Sequence, residues 1–247
     1  MRGTSFLWTF VAVCAWLAAC EPASEPDASS RGDVPRAQAP LEAVRDASDA
    51  RDEGGRERPR IVAFGNSLTA GLGVPSTEAY PAQLQRRLDQ SGYRYLVINA
   101  GVSGDTTAGA LRRVEWVLRS RPRLVIVELG ANDGLRGIDV KETRTNLERI
   151  IERLQAAGVT VVLAGMKLPP NYGADYTGRF AAIYPELARK YHLVLMPFFL
   201  EGVGAQTSLN QADGVHPTAG GYRVIVDHLM PILEPLLEKT EAGGSRS

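Results

Sequence analysis

Residues 124–134 read LVIVELGANDG, an apolar run that ends in a polar, glycine-rich corner. Four other apolar runs of similar length lie at residues 61–64, 95–98, 159–163 and 193–196. All five are rich in β-branched residues or leucine and show no alternation of polar and apolar positions. This pattern is typical of strands that are buried on both faces of a parallel sheet.

Amphipathic segments lie between these runs. Leu111, Val114 and Leu118 share one helical face, and the apolar positions of residues 147–154 and 225–236 follow the same spacing. Strands that alternate with helices predict a three-layer α/β/α sandwich with a five-stranded parallel sheet and a flavodoxin-like arrangement. In such sheets, ligands bind beyond the carboxyl ends of the strands.

The overall composition excludes several classes of protein. The 247 residues include 28 Lys and Arg against 28 Asp and Glu, so the net charge is zero and no nucleic-acid partner is predicted. Two cysteines are too few for a disulfide-rich scaffold or a four-cysteine zinc site. The sequence contains neither a phosphate-binding P-loop motif nor a dinucleotide fingerprint, so no cofactor is predicted. It contains no His-x-x-x-His or comparable cluster, so no metal is predicted either.

The amino-terminal segment has the pattern of an export signal. Residues 6–20 carry no charge and are fewer than the roughly 20 apolar residues that a membrane-spanning helix needs. They end in LAAC at residues 17–20, which resembles a bacterial lipobox. We therefore predict a signal peptide at 1–19, a lipid on Cys20, and a protein anchored to a membrane of the bacterial cell envelope, facing the periplasm or the exterior. The alternative is an ordinary secretory signal that is cleaved at small residues.

The remaining chain divides by composition. Residues 20–58 are rich in charge and poor in large apolar side chains, which predicts a disordered tether. One folded domain is predicted at 59–239, with a disordered tail at 240–247.

Reactive side chains follow the predicted strands. Ser67 comes after the first run, Gly104 after the second, Asn132 after the third, and Asp213 and His216 after the fifth. A serine hydroxyl needs an adjacent base, histidine can supply it, and an aspartate can orient the imidazole. A glycine backbone amide and an asparagine side-chain amide can stabilise an oxyanion. The sequence thus predicts hydroxyl-based acyl transfer.

Each of these residues also has a structural interpretation when taken alone. Ser67 can cap a helix, and Asn132 and the Asp213-Gly214 pair can form ordinary turns. Of the three histidines, only His216 lies in a predicted loop at a short spacing from an aspartate. The joint occurrence, in this order, favours the catalytic interpretation.

Four motifs carry a resemblance to a known family. GNSL at 65–68, SGDT at 103–106, GAND at 130–133 and DGVH at 213–216 resemble the blocks of the SGNH hydrolases, also called the GDSL esterase family. The resemblance extends over residues 61–237. It implies the SGNH hydrolase fold and a catalytic set of a nucleophile, two oxyanion donors, an orienting carboxylate and a base. In that order, the set is Ser67, Gly104, Asn132, Asp213 and His216.

Two further segments narrow the resemblance. LPPNYG at 168–173 and FFLE at 198–201 resemble the periplasmic arylesterase, thioesterase and lysophospholipase group of the family. This likeness implies small acyl esters, acyl thioesters or lysolipids as substrates. The alternatives are a carbohydrate O-deacetylase of the same superfamily, or a non-catalytic flavodoxin-like module in which residues 65–69 cradle a phosphate.

The sequence departs from the family pattern at one position. Asn66 stands where the family usually has aspartate. This position is not part of the predicted triad, and an amide can still cap the helix start. The substitution does remove a negative charge beside the predicted nucleophile.

Overall fold

Five parallel strands form the centre of the computed structural model, which describes residues 57–237. They lie side by side in the order β2-β1-β3-β4-β5. Their bounds are Arg60–Gly65 for β1, Leu96–Gly101 for β2, Pro122–Glu128 for β3, Thr160–Ala164 for β4 and Val194–Met196 for β5. The predicted five-stranded parallel sheet is therefore confirmed.

Helices cover both faces of this sheet. The α-helices are α1 at Ser67–Ala70, α2 at Tyr80–Gln90, α3 at Thr107–Arg119, α4 at Ala131–Leu135, α5 at Val140–Ala156, α6 at Ala174–Tyr191 and α7 at Ala219–Leu233. The chain crosses from β1 to β2 in one direction and returns to β3, β4 and β5 in the other. Right-handed crossovers then place helices on opposite faces, with α2 against α7 and α5 against α3 and α6. This is the predicted three-layer α/β/α sandwich.

The burial of the strands follows their position in the sheet. All six residues of β1 are buried, because this strand lies between β2 and β3 with helices above and below it. The edge strands β2 and β5 are only partly buried. Burial on both faces explains why the central runs contain no polar alternation.

The ends of several elements differ from the sequence prediction. Strand β2 begins at Leu96 rather than at 95 and continues to Gly101, and β3 continues to Glu128. The last α-helix ends at Leu233, and residues 234–236 form a 3-10 turn instead of a further α-helical turn. Pro235 explains this ending, because it has no N–H with which to continue the α-helical hydrogen bonds.

Some predictions fall on residues that the structure does not describe. The signal peptide at 1–19, Cys20, residues 21–56 of the tether and residues 238–247, which include the predicted tail, all lie outside residues 57–237. Among the residues that are described, no helix is both long and apolar enough to cross a membrane.

Strand β2 passes unusually close to helix α1. A Cβ atom added to Gly101 would lie 2.2 Å from the backbone nitrogen of Ala70 and 2.7 Å from the carbonyl carbon of Thr69. Both contacts are to backbone, which cannot move aside like a flexible side chain. Gly101 therefore allows the helix that begins at Ser67 to rest against the sheet.

We expect Gly101→Ala to lower the free energy of unfolding by about 1–3 kcal/mol, the usual cost of overpacking. The helix with Ser67 must shift to relieve the contact, so the acyl transfer that the sequence predicts should slow as well. Denaturant unfolding and the rate of this predicted reaction measure the two effects. Gly178→Ala is a matched control, because Gly178 lies in α6 and an added Cβ meets nothing within 4 Å. Equal stability of the two variants would contradict the close approach.

Candidate active site

The turn after β1 holds Ser67 at the start of a short helix. Asn66 is the N-cap of α1, and its side-chain oxygen accepts a hydrogen bond from the backbone N–H of Leu68 at 2.9 Å. Ser67 is the first residue of the helix and is 9% exposed. The first N–H groups of a helix have no partner within it, so this position suits anion binding by the Ser67 amide.

The structure brings Ser67, His216 and Asp213 into one hydrogen-bonded chain. Nε2 of His216 lies 2.9 Å from Oγ of Ser67, across 149 residues of sequence. Nδ1 of the same ring lies 2.7 Å from Oδ2 of Asp213. With Nδ1 protonated toward the carboxylate, Nε2 is free to accept the hydroxyl proton of Ser67.

Asp213 is held in its ionised form. Its Oδ1 accepts hydrogen bonds from the backbone N–H groups of His216 and Val215, each at 2.9 Å. These bonds, together with the imidazole of His216, lower the pKa of Asp213 to about 2. The carboxylate therefore keeps its charge throughout the neutral range, although its side chain is 48% exposed.

Gly104 lies on the loop after β2, and Asn132 lies in the short helix α4, which contacts that loop. Gly104 has a φ of 78°, in the left-handed region that favours glycine. The side-chain amide of Asn132, in α4, donates to the backbone carbonyl of Asp105 at 2.9 Å. One N–H of that amide is thereby fixed, which orients the second N–H of the same group. The guanidinium of Arg136 donates to the carbonyl of Gly104 at 2.9 Å and holds the loop from the outside.

Asp133 supports the site, although the sequence analysis assigned it no role. Asp133 is 1% exposed and accepts hydrogen bonds from the hydroxyl and, at 2.9 Å, from the backbone N–H of Thr107. It thus ties the helix with Asn132 to the helix that follows Gly104, and burial raises its pKa above the usual value. Its place in the GAND motif was the only sequence feature that pointed to a supporting role for Asp133.

Arg113 connects the first two loops of the site. Its guanidinium donates to Asp105 at 2.7 Å, to the carbonyl of Ala100 at 2.7 Å and to the carbonyl of Gly65 at 2.8 Å. It also lies 4.5 Å from the ring centre of Phe64. Nothing in the local sequence distinguishes this arginine from others on the exposed faces of helices.

Exposed apolar side chains lie close in sequence to these groups. The large hydrophobic residues exposed within 57–237 are Leu72, Leu135 and Val215, at 48%, 37% and 41%. Each lies within five residues of Ser67, Asn132 or His216 in the chain. We call these three residues the apolar rim. Exposed apolar side chains that lie this close in the chain to reactive residues are candidates for contact with an apolar part of a ligand.

Two tyrosines hold the segment that carries Leu135. The hydroxyl of Tyr172 donates to the carbonyl of Leu135 at 3.0 Å, and the hydroxyl of Tyr176 donates to the carbonyl of Ile138 at 2.7 Å. The predicted LPPNYG segment therefore contributes to the site by supporting this loop. Within residues 57–237, no group of three or more His, Cys, Asp or Glu side chains is arranged to hold a metal ion.

A serine hydrogen-bonded to a histidine–aspartate pair, at the carboxyl edge of a parallel α/β sheet, is typical of serine hydrolases. Comparison with known proteins identifies the family of hydrolases to which the chain belongs. The model of the GDSL-like Lipase/Acylhydrolase family matches residues 63–224, and the chain belongs to this family. The predicted family is thereby confirmed.

Named relatives support the same classification. The chain is 42% identical to "Esterase TesA" of Pseudomonas aeruginosa over 72% of this chain and 89% of that protein. It is 38% identical to "Thioesterase 1/protease 1/lysophospholipase L1" of Escherichia coli K12, over 72% of this chain and 84% of that protein. The crystal structure of AlinE4, "a SGNH-hydrolase family esterase", is 47% identical and has a TM-score of 0.62, over 74% of this chain and 98% of that one.

The family and these relatives make the chain a carboxylic ester hydrolase. They support neither of the alternatives, the carbohydrate O-deacetylase and the non-catalytic flavodoxin-like module.

Proposed function

We propose that the chain is a serine esterase that hydrolyses acyl esters, acyl thioesters or lysophospholipids through Ser67, His216 and Asp213. The observation that carries the proposal is the pair of contacts of one imidazole, 2.9 Å to the Ser67 hydroxyl and 2.7 Å to the Asp213 carboxylate. This pair of hydrogen bonds turns the weakly nucleophilic hydroxyl of a serine into a reactive nucleophile at neutral pH.

In the first step, His216 takes the proton of Ser67 as Oγ forms a bond to the substrate carbonyl carbon. The carbonyl oxygen becomes an oxyanion, which the N–H groups of Ser67 and Gly104 and the side-chain amide of Asn132 stabilise. The tetrahedral intermediate collapses, the bond to the leaving group breaks, and His216 returns its proton to the departing oxygen or sulfur. Water, deprotonated by His216, then attacks the acyl carbon, the bond from that carbon to Oγ breaks, and His216 returns the proton to Oγ, which regenerates Ser67 and releases the carboxylic acid.

The apolar rim supports substrates with a hydrocarbon chain. Leu72, Leu135 and Val215 remain 48%, 37% and 41% exposed, and further burial of each would be favourable by about 1 kcal/mol, a fraction of the value for a whole side chain. Contact with an acyl chain would remove exposed apolar surface of these side chains from water. The names of the relatives, which include an esterase and a lysophospholipase, agree with this substrate class.

We expect the domain to hydrolyse p-nitrophenyl octanoate with a kcat/KM at least equal to that for the acetate. Replacing Leu135 with Ser should lower kcat/KM for the octanoate by about tenfold and leave the acetate within about twofold, since each buried methylene contributes about 0.8 kcal/mol. Hydrolysis rates over a series from acetyl to dodecanoyl esters measure both effects. Hydrolysis of acetyl esters alone would contradict the proposal and favour the deacetylase.

We also propose that the protein is a lipoprotein of the bacterial cell envelope, anchored through a lipid on Cys20. The LAAC sequence at 17–20 supports this proposal. On the outer side of a cytoplasmic membrane acyl-CoA is scarce, so esters or lysolipids are the favoured substrates.

We expect Cys20→Ser to move the protein from the membrane fraction to the soluble fraction and to abolish the incorporation of radiolabelled palmitate. The serine cannot form the thioether on which lipid attachment depends. Cys14→Ser is the matched control, because this cysteine lies within the predicted signal and should leave with it. Unchanged membrane association of the Cys20 variant would contradict the anchor.

A further inference from the structure

A carboxylate is buried directly beside the turn that carries Ser67. Glu128 is the last residue of β3, pairs in register with Gly65 of β1, and is 0% exposed. A Cβ atom added to Gly65 would lie 2.6 Å from Oε2 of Glu128 and 1.9 Å from Oγ1 of Thr69. The glycine therefore leaves the space that this carboxylate occupies.

Three donors converge on Glu128. The side-chain amide of Asn66 donates to Oε1 at 2.8 Å, and the hydroxyl of Thr69 donates to Oε2 at 2.8 Å. The backbone N–H of Asn66 makes a longer contact to Oε2 at 3.4 Å. Because the oxygen of the Asn66 amide also accepts from Leu68, this single side chain links Glu128 to both sides of Ser67.

The groups that face Glu128 from the surrounding helices are uncharged. They are three buried tyrosines, one each from α2, α6 and α7, and burial raises the pKa of each hydroxyl. They are Tyr80, Tyr184 and Tyr222. On the other side of the turn, Arg113 binds the carbonyl of Gly65 but pairs its charge with Asp105. Burial raises the pKa of Glu128 to about 7, against the opposing effect of hydrogen bonds from Thr69 and Asn66. An ionised Glu128 therefore costs folding free energy.

We propose that Glu128 is a positioning residue for Ser67. The side-chain amide of Asn66 binds the turn that carries Ser67 to Glu128, and this link does not require the two side chains to share a proton. The inference rests on the proposed role of Ser67. The Asn66 amide is always a donor toward Glu128 and always an acceptor toward Leu68. The link is therefore complete with the carboxylate ionised.

An aspartate at position 66 would change the chemistry of this link. Two carboxyl groups with oxygens about 2.8 Å apart cannot both be ionised without strong repulsion, so they must share one proton. Loss of that proton at alkaline pH would push the turn away from Glu128. In this chain the proton that Glu128 loses near pH 7 is not shared with position 66, because the Asn66 amide donates to the carboxyl group before and after that loss.

The test compares the native chain with Asn66→Asp, Glu128→Gln and the double variant. In Asn66→Asp, we expect kcat/KM relative to the native chain to fall about tenfold or more between about pH 7 and about pH 9.5. The loss should be in kcat, with KM unchanged. In the double variant, the amide introduced at position 128 can donate to the carboxylate at position 66, and its oxygen can accept from Thr69. Reversing the polarity in this way keeps every hydrogen bond, so the alkaline loss should disappear.

Glu128→Gln alone separates positioning from a purely structural role. Since the pKa of Glu128 is raised in the folded state, its ionised form lowers stability as pH rises from its unfolded pKa to about 7. The isosteric amide removes that cost, and we expect an unfolding midpoint at about pH 8 that is at least as high as that of the native chain. The kcat should nevertheless fall about tenfold, because the amide nitrogen faces the backbone N–H of Asn66 as a second donor.

Two outcomes would overturn the proposal: parallel pH profiles for the native chain and Asn66→Asp, or a double variant no better than the single ones. Thermal unfolding against pH gives the same comparison without catalysis, and in a Ser67→Ala background the alkaline destabilisation by Asn66→Asp should persist. If Ser67→Ala retained turnover while this destabilisation was present, the proposed role of Ser67 would fail and the link of Asn66 to Glu128 would stand.

Discussion

Ser67→Ala should reduce the kcat for p-nitrophenyl octanoate by about 10⁴- to 10⁶-fold, because it removes the atom that forms the acyl-enzyme. His216 and the proposed oxyanion donors remain, so the residual rate should come from binding and electrostatic stabilisation alone. The KM should change little, since the hydroxyl contributes to the chemical step rather than to binding. Steady-state kinetics on the purified domain measure both constants.

Ser76→Ala is the matched control for this substitution. Ser76 is exposed in a 3-10 turn nine residues farther along the chain and has no proposed role in the site. It should retain native activity. Far-ultraviolet circular dichroism should be the same for both variants, so that any loss of rate is not a loss of fold. Substantial turnover by Ser67→Ala would remove this residue from the role of nucleophile.

Asp213→Asn should reduce kcat by about 10³- to 10⁴-fold while it preserves the shape of the site. The carboxylate accepts a hydrogen bond from Nδ1 of His216, whereas an amide can present its N–H₂ group to the ring. The imidazole would then carry its proton on Nε2 and could not accept the proton of Ser67. The pH–rate profile and kcat of the variant measure this effect.

The low pKa of Asp213 determines where this residue can affect the pH–rate profile of the native chain. This pKa is lowered to about 2 in the folded protein, so the associated stabilisation is present above the unfolded pKa of about 4 and is lost as the pH falls toward 2. Above about pH 4, Asp213 should therefore contribute no titration to the rate. Asp175→Asn is a suitable control, because Asp175 is an exposed aspartate at the start of α6. A loss of less than about tenfold for Asp213→Asn would contradict the proposed orientation of His216.

The sequence predicted the sheet because its central strands are buried on both faces, and such strands leave continuous apolar runs. It was less informative where hydrogen bonding extends a strand beyond its apolar residues. Strand β2 continues through Asn99 to Gly101, and β3 includes Glu128, since pairing with β1 fixes these positions. The end of α7 was missed for a local reason, the proline at 235.

The candidate site was predictable to the extent that its residues follow strand ends. Ser67, Asp213 and His216 form the predicted set of contacts, and Asn132 in α4 contacts the loop that carries Gly104. The residues that support them could not be predicted, because their roles depend on register between distant elements. Glu128 acquires its position from pairing with Gly65, and Asp133 from the approach of Thr107. Neither relation is visible in the local sequence.

The assignment of Ser67 as the nucleophile is tested most directly by treating the purified domain with a fluorophosphonate and mapping the adduct by mass spectrometry. Such a reagent forms a stable phosphonyl ester with an activated serine. We expect one adduct, on Ser67, with stoichiometric loss of esterase activity, and no adduct in Ser67→Ala. Labelling should also be strongly slowed in His216→Ala, since the hydroxyl then has no base. Full inactivation with the adduct on another residue, or activity that persists when Ser67 is fully modified, would contradict the account.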